Sequence, residues 1–250
     1  MNIMEHSING LVNIIKTKLS NIALFMKSGN AARYHLKNVE ALPSSPLKGK
    51  TIIFLGSSVT YGSASLGTSF VEYIGRRNGV RTIKEAVSGT TLVTDGDDNG
   101  NSYIPRMKTI DPNIKADCFV CQLSTNDASQ EKELGTISDS FDMNFFDTNT
   151  IAGAIEYIIA YARQTWNCPV VFFTNTKYNS IYYGKMVNLL FEIQRKWDIG
   201  VIDLWNNTEL NNINQGTHNL YMADDIHPTQ AGYLKWWTPA MEAYLYEFLK

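Results

Sequence analysis

The amino-acid sequence predicts an α/β fold, a three-layer α/β/α sandwich around a five-stranded parallel sheet. Five short stretches rich in β-branched and other apolar residues run into glycine or small polar residues, as buried strands do where they end in a loop. Helical patterns separate most of these stretches, which favours a doubly wound sheet with helices on both faces. The chain has 250 residues, of which 44% are apolar, and this length is sufficient for one sizeable core.

The first segment stands apart from the predicted sheet. Between residues 8 and 26, apolar residues recur at helical spacing with lysines off that stripe, which predicts an amphipathic helix. The stripe needs a covering surface, either the main domain or a second subunit in a homo-oligomer; the few basic residues disfavour a membrane surface. Residues 41–49 contain two prolines and a glycine, as linkers do. We therefore expect an N-terminal helical extension and linker over residues 1–47 and one domain over residues 48–250.

The remaining elements follow from apolar runs, helical periodicity and turn residues. The predicted strands cover residues 51–55, 81–87, 117–123, 169–174 and 200–205. The predicted helices cover residues 69–77, 102–109, 151–162 and 181–197, and a last helix begins near residue 229. Residues 128–148 are polar with scattered phenylalanines and no steady period, and a connection of this length is usually functional or mobile.

Charge and cysteine content narrow the classes of function. The net charge of -2 and the scattered basic residues give no indication of a nucleic-acid partner. Cys118 and Cys121 form a C-x-x-C pair, but residues three apart on a strand point to opposite faces, so buried thiols are favoured over a redox or zinc pair. The N-terminus lacks the pattern of a secretory signal, and no apolar run has the length of a membrane span. We therefore expect a cytoplasmic protein without a membrane span.

Small polar residues follow three of the predicted strands at the points where those strands end. Ser58 follows the first strand in a Gly-Ser-Ser run, Gly89 follows the second, and Asn126 follows the third. A parallel sheet brings these positions to one edge, where ligands and reacting groups collect. Ser58 is therefore a candidate nucleophile, although glycine and serine are also ordinary turn residues.

A serine nucleophile needs a base, and histidine is scarce in this chain. Of its four histidines, two lie in the N-terminal extension, so His218 and His227 remain available to the sheet. Asp224 precedes His227 by three residues and can accept a hydrogen bond from its imidazole, which fixes the tautomer that a serine needs. The alternatives are that Asp224 or Asp225 only caps the following helix, or that His227 is an ordinary surface residue.

Four short blocks in this order resemble the SGNH hydrolases, also called GDSL esterases and lipases. Residues 54–60 are similar to the nucleophile block, residues 87–91 to the second, residues 123–127 to the third and residues 224–228 to the last. The resemblance extends from residue 48 to the C-terminus. It implies a flavodoxin-like sheet and a serine ester hydrolase that needs no metal or organic cofactor.

The resemblance also implies a role for each matching residue. Ser58 takes the nucleophile position, and His227 and Asp224 take those of the catalytic base and its partner. Asp225 is the competing partner, and Asp224 is preferred because it holds the family position three before the histidine. The backbone N–H groups of Ser58 and Gly89 and the side chain of Asn126 take the positions of the oxyanion hole.

Two residues depart from the family pattern. Ser57 stands where the family usually has aspartate, and Ser124 replaces the usual glycine of the third block. Neither departure removes a group that the mechanism requires. Ser124 narrows the expected oxyanion pocket, which is a reason to expect an altered rate or acyl size.

The expected substrate is a carbohydrate or similar polar ester that loses a short acyl group, with acetyl preferred. Members of the family that resemble the Gly-Ser-Ser-Val-Thr variant include carbohydrate esterases. Polar and aromatic residues in the loops suit a sugar-like ligand, or are ordinary loop residues: Tyr61, Asn175, Tyr178, Asn179, Tyr182 and Tyr183. The alternatives are a lipid esterase or lysophospholipase, an acyl thioesterase, a flavodoxin-like nucleotide-binding module with phosphate at residues 57–63, and a non-catalytic sugar-binding module.

Overall fold

A parallel sheet forms the centre of the protein. The computed structural model describes residues 22–96 and 100–250. The strands are β1 (Thr51–Gly56), β2 (Arg81–Ala86), β3 (Cys118–Gln122), β4 (Val170–Phe173) and β5 (Gly200–Ile202). They lie in the order β2-β1-β3-β4-β5, and every neighbouring pair is parallel. The predicted α/β class and the five-stranded parallel sheet are confirmed.

Helices cover both faces of this sheet. The longer helices are α2 (Phe70–Asn78), α5 (Ile151–Trp166), α6 (Ile181–Trp197) and α10 (Thr238–Phe248). The shorter ones are α1 (Ser58–Tyr61), α3 (Tyr103–Met107), α4 (Thr125–Ser129), α7 (Thr208–Asn211), α8 (Gln215–Tyr221) and α9 (Gln230–Gly232). A π-helical segment, Tyr233–Trp237, joins α9 to α10.

The two faces of the sheet have separate hydrophobic cores because side chains alternate along each strand. In β1, Ile53 and Leu55 pack with α3, α5 and α6, whereas Ile52 and Phe54 pack with α2 and α10. Cys121 belongs to the first core and Cys118 to the second. Both thiols are free and buried, as the strand periodicity predicted.

The last predicted strand is shorter than expected. The sequence prediction extended it to residue 205, but β5 ends at Ile202. The backbone turns there: the N–H of Leu204 donates to the Ile202 carbonyl at 3.2 Å, and the N–H of Trp205 donates to Thr174 Oγ1 at 2.9 Å. Apolar side chains at 204 and 205 continue the pattern of a strand, but they pack from this turn instead.

Hydrogen bonds and an ion pair hold the segment after α4 against α5 and α6. Glu156 in α5 is fully buried, and its carboxylate accepts hydrogen bonds from the N–H of Ser138 at 2.8 Å and from Trp197 Nε1 at 2.9 Å. Lys196 pairs with the same carboxylate. The prediction of an irregular 128–148 segment therefore holds beyond Ser129, and the observed contacts fix its course.

The chain before β1 contributes to the second core. Residues 22–26, the described end of the predicted amphipathic helix over residues 8–26, are helical. The rest of that helix lies outside the described residues, so it and its role in oligomerisation stay predictions. From residue 28 onward the chain makes three short 3-10 turns, and Val39 and Leu47 are buried in the core beneath α2 and α10. Among the helices in the described ranges, none is both long and apolar enough to cross a membrane.

Candidate active site

A tight turn after β1 presents Ser58. Gly56 ends the strand, and a Cβ there would lie 2.0 Å from Thr60 Oγ1, so only glycine fits. Gln122, at the end of β3, holds the turn: its Oε1 accepts from the N–H of Ser57 at 3.0 Å and from Thr60 Oγ1 at 2.8 Å. Its Nε2 donates to Ser57 Oγ at 3.1 Å. Ser57 therefore fills the family's aspartate position with a hydroxyl bonded to a buried amide.

The structure brings Ser58, His227 and Asp224 together. Ser58 Oγ lies 2.8 Å from His227 Nε2, and His227 Nδ1 lies 3.0 and 2.9 Å from the two carboxylate oxygens of Asp224. Because a carboxylate only accepts, Nδ1 donates to Asp224 and Nε2 is left to accept the Ser58 proton. His218, the other histidine that the sequence made available, lies in the last turn of α8.

The Asp224 carboxylate has a second set of donors. Its Oδ1 accepts from the backbone N–H groups of Ile226 and His227, both at 2.8 Å. Partial burial raises the pKa of Asp224, but the hydrogen bonds from His227 and these N–H groups outweigh it and lower the pKa to about 2. Thr229, rather than either aspartate, caps α9. The carboxylate therefore stays ionised beside the imidazole at neutral pH.

The predicted oxyanion residues lie in neighbouring loops. Gly89 has a φ of +87°, a conformation that favours glycine. Asn126 lies in the first turn of α4, and its Nδ2 donates to the Thr90 carbonyl at 2.8 Å, which ties the loops after β2 and β3 together. Ser124 Oγ caps α4 by accepting from the N–H of Asn126 at 3.2 Å. The serine that replaces the family glycine thus supports the helix that carries Asn126.

Asp127 fixes the loop that follows Gly89. Its buried carboxylate accepts from the N–H of Leu92 at 2.8 Å and of Val93 at 3.1 Å. Burial raises the pKa of Asp127 from 3.8 to about 6, and the hydrogen bonds from Ser124 and the two backbone groups limit that rise. The carboxyl therefore binds its proton more tightly in the folded chain than in the unfolded chain.

Replacement of Asp127 by asparagine tests that shift. Below about pH 4 the Asp127 carboxyl is mostly protonated in both the folded and the unfolded chain. As the pH rises toward 6 the carboxyl ionises more readily in the unfolded chain, and this destabilises the folded state. The free energy of unfolding of wild type should fall relative to Asp127→Asn by up to about 3 kcal/mol between pH 4 and 7. Urea unfolding at four pH values measures the difference, and a difference independent of pH would contradict the assignment.

The sequence left open whether Tyr183 and Asn175 face a ligand or are ordinary residues, and the structure gives both a structural role. Tyr183 lies in α6 and is fully buried. Its hydroxyl donates to the Leu123 carbonyl at 3.0 Å and accepts from the N–H of Asn175 at 2.8 Å. Both residues therefore hold loops in place, whereas Tyr61 and Asn179 remain exposed. Sequence analysis did not identify the role of Gln122. The available signal was a polar residue at the end of an otherwise apolar strand.

A polar recess borders Gly89. It has a volume of about 260 Å³ and is lined by Gly89, Thr91, Thr94, Asp95, Asn101 and Gln130. These side chains offer hydroxyl, carboxylate and amide groups but no large apolar surface. In the ranges 22–96 and 100–250, no cluster of His, Cys, Asp and Glu has the arrangement of a metal site.

The sequence matches the model of one known protein family. The family model of the GDSL-like lipases and acylhydrolases matches residues 54–235, a span that runs from β1 past His227. The chain belongs to this family. It is therefore an ester-hydrolysing serine hydrolase. No curated protein matches the sequence.

Several solved structures share this fold. A protein from Lactobacillus plantarum has a TM-score of 0.64 at 17% identity, covering 81% of this chain and 97% of its own. A member of the lipolytic G-D-S-L family from Veillonella parvula has a TM-score of 0.56 at 18% identity, covering 80% and 97%. The acetyl xylan esterase AlAXEase has a TM-score of 0.54 at 15% identity, covering 78% and 98%. At these identities the similarity establishes a common fold.

Proposed function

We propose that this hydrolase removes a short acyl group, acetyl above all, from a carbohydrate or similar polar ester, through an acyl-enzyme on Ser58. The observation that carries the proposal is the continuous chain of hydrogen bonds from the Ser58 hydroxyl through His227 to Asp224. A serine hydroxyl becomes a useful nucleophile only when a base in hydrogen-bonding distance removes its proton.

Each proton in the proposed reaction has a defined carrier. Ser58 Oγ attacks the ester carbonyl carbon while His227 Nε2 takes the hydroxyl proton. The tetrahedral intermediate collapses, the carbon–oxygen bond to the alcohol breaks, and His227 returns the proton to the departing oxygen. Water then attacks the acyl-serine with His227 again as base, which releases the acid and restores Ser58. Asp224 keeps the imidazole in the required tautomer throughout.

The charge that develops on the carbonyl oxygen needs donors. We assign these to the N–H groups of Ser58 and Gly89 and to the side-chain amide of Asn126. One hydrogen of Asn126 Nδ2 is donated to the Thr90 carbonyl, and we assign the other to the oxyanion. The N–H of Ser58 lies in the first turn of α1, where backbone donors have no partner within the helix. Hydrogen-bond donors that are already oriented before the reaction stabilise the transition state, because they do not have to reorganise as the charge develops.

Replacement of Asn126 by alanine should lower kcat by roughly 10²- to 10³-fold and change KM little, since the lost donor acts mainly in the transition state. The measurement is steady-state hydrolysis of p-nitrophenyl acetate. Gln130→Ala is the matched control, because it removes an amide from the neighbouring recess and not from the oxyanion site. A larger effect on KM than on kcat would assign Asn126 to substrate binding instead.

The polar recess beside Gly89 supports a polar substrate. Hydroxyl and amide side chains there match the hydroxyl groups of a sugar, whereas a long acyl chain gains binding energy mainly from apolar surface. The exposed ring of Tyr61, three residues after Ser58, adds a flat surface near the same turn. The acetyl xylan esterase among the structural neighbours acts on this class of substrate by its name.

A substrate panel tests the proposal. Acetylated mono- and oligosaccharides are compared with p-nitrophenyl esters of two to twelve carbons and with an acyl thioester. We expect the highest kcat/KM for acetylated sugars and a fall of about tenfold or more between the acetyl and octanoyl esters, each tenfold step being about 1.4 kcal/mol of transition-state stabilisation. A kcat/KM that rises with chain length would indicate a lipid esterase.

A further inference from the structure

A buried side chain from the N-terminal extension touches both loops of the triad. Asn30 is 2% exposed and lies at the end of the 3-10 turn Ser28–Asn30. Its Nδ2 donates to the carbonyl of Ala64 at 2.9 Å, and its Oδ1 accepts from the N–H of Gln230 at 2.9 Å. Ala64 lies six residues after Ser58, and Gln230 lies three residues after His227.

The residues before Asn30 reach the same loops. Lys27 Nζ donates to the carbonyl of Ala223 at 2.7 Å, and the N–H of Ala223 donates to the carbonyl of His227 at 2.9 Å. Gly29 packs so closely that a Cβ would lie 2.1 Å from the Leu220 carbonyl. Residues 27–30, here called the N-terminal clamp, therefore contact the His227 loop on both sides of the histidine.

Two other side chains after His227 also bond the segment that follows Ser58. Gln230 Nε2 donates to the Ser65 carbonyl at 3.2 Å, and Tyr233 OH donates to the Val59 carbonyl at 2.6 Å. Both of these residues follow His227. On the side before it, Lys27 bonds the Ala223 carbonyl and Asn175 Nδ2 donates to the Ile226 carbonyl at 3.3 Å. The clamp lies outside the matched family span of residues 54–235.

We propose that Asn30, assisted by Lys27, is a positioning residue of the esterase: its amide holds the His227 loop against the Ser58 loop from a part of the chain outside the family domain. This inference rests on the proposed function. An amide suits the task because it donates to one loop and accepts from the other. Alanine would leave the Ala64 carbonyl and the Gln230 N–H without these partners, and the imidazole would lose its fixed distance from Ser58.

Kinetics of the full chain test the clamp. A displacement of about 1 Å in a catalytic group costs on the order of 10²-fold in rate, so Asn30→Ala should lower kcat for p-nitrophenyl acetate by roughly 10- to 100-fold with KM within about twofold. Lys27→Met, a milder change at a partly exposed position, should lower kcat in the same direction by a smaller factor. If Asn30→Ala folds poorly, Lys27→Met still tests the proposal.

Asn78→Ala is the matched control. Asn78 is also 2% exposed, and its amide bonds Glu242, Ser45 and Tyr246 away from the triad. This variant should lower Tm but leave the kcat of the folded protein unchanged. Equal effects of the two variants on kcat, or none from Asn30→Ala and Lys27→Met, would overturn the proposal.

Hydrogen exchange gives a readout that does not depend on activity. Amide exchange in residues 222–230, followed by mass spectrometry, should accelerate in Asn30→Ala and stay at the wild-type rate in Asn78→Ala. Unchanged exchange in Asn30→Ala would also overturn the clamp. A wild-type chain that neither hydrolyses p-nitrophenyl acetate nor reacts with a fluorophosphonate contradicts the proposed function, and the exchange comparison still decides on the clamp.

Discussion

Replacing Ser58 by alanine is expected to lower kcat for ester hydrolysis by roughly 10⁴- to 10⁶-fold, because no acyl-enzyme forms without its hydroxyl. The fold should persist, since the Ser58 hydroxyl has one side-chain partner, His227 Nε2, and the turn is held by Gln122 through Ser57 and Thr60. Steady-state kinetics and thermal unfolding of the purified variant measure the two effects separately.

Ser63→Ala is the control for this substitution. Ser63 lies in the same loop, and its hydroxyl contacts Ser88 Oγ rather than the imidazole. Its kcat should stay within a few-fold of wild type, as expected for a residue outside the reacting groups. Turnover by Ser58→Ala near the wild-type rate would exclude the proposed nucleophile, whereas loss of folding would show that the serine has a structural role.

Replacing Asp224 by asparagine should lower kcat by roughly 10³- to 10⁴-fold, because an amide that donates toward Nδ1 stabilises the wrong imidazole tautomer. The carboxylate also accepts from the N–H groups of Ile226 and His227, so some loss of loop order is expected. Its pKa of about 2, against 3.8 for an exposed carboxyl, places its stabilising effect above about pH 4, and that effect is lost as the pH falls toward 2.

Asp225→Asn separates the two candidate partners of His227. Asp225 is exposed, and both carboxylate contacts to the imidazole come from Asp224. Its variant should therefore retain the wild-type kcat. A large loss of kcat in Asp225→Asn with little loss in Asp224→Asn would reverse the assignment.

The elements that local sequence determines were predicted closely. The helix predicted over residues 181–197 is observed as Ile181–Trp197, and the helix over 69–77 is observed as Phe70–Asn78, with Ser69 capping its start and Gly79 ending it. The ends of β1 to β4 were located to within about one residue for the same reason, because their apolar runs stop where the chain leaves the core, whereas apolar residues after Ile202 carried the β5 prediction past its end. The parallel order then follows from the helices between strands.

Contacts between distant parts of the chain were beyond sequence analysis. Nothing local in Asn30 indicates that its amide meets Ala64 and Gln230. In the same way, Tyr183 sits on a helical stripe that suits a buried ring and a ligand-facing ring equally well, and only packing decides between them. The residues missed are those whose partners lie far away in sequence.

In the proposed reaction Ser58 forms an acyl-enzyme with His227 and Asp224 as its activating partners. Peptide mass spectrometry after reaction with a fluorophosphonate shows which residue is the nucleophile. We expect one adduct, on Ser58, and at least a hundredfold slower labelling in His227→Ala, as general-base catalysis requires. Labelling of another residue, or labelling of Ser58 at the same rate without the imidazole, would contradict the account.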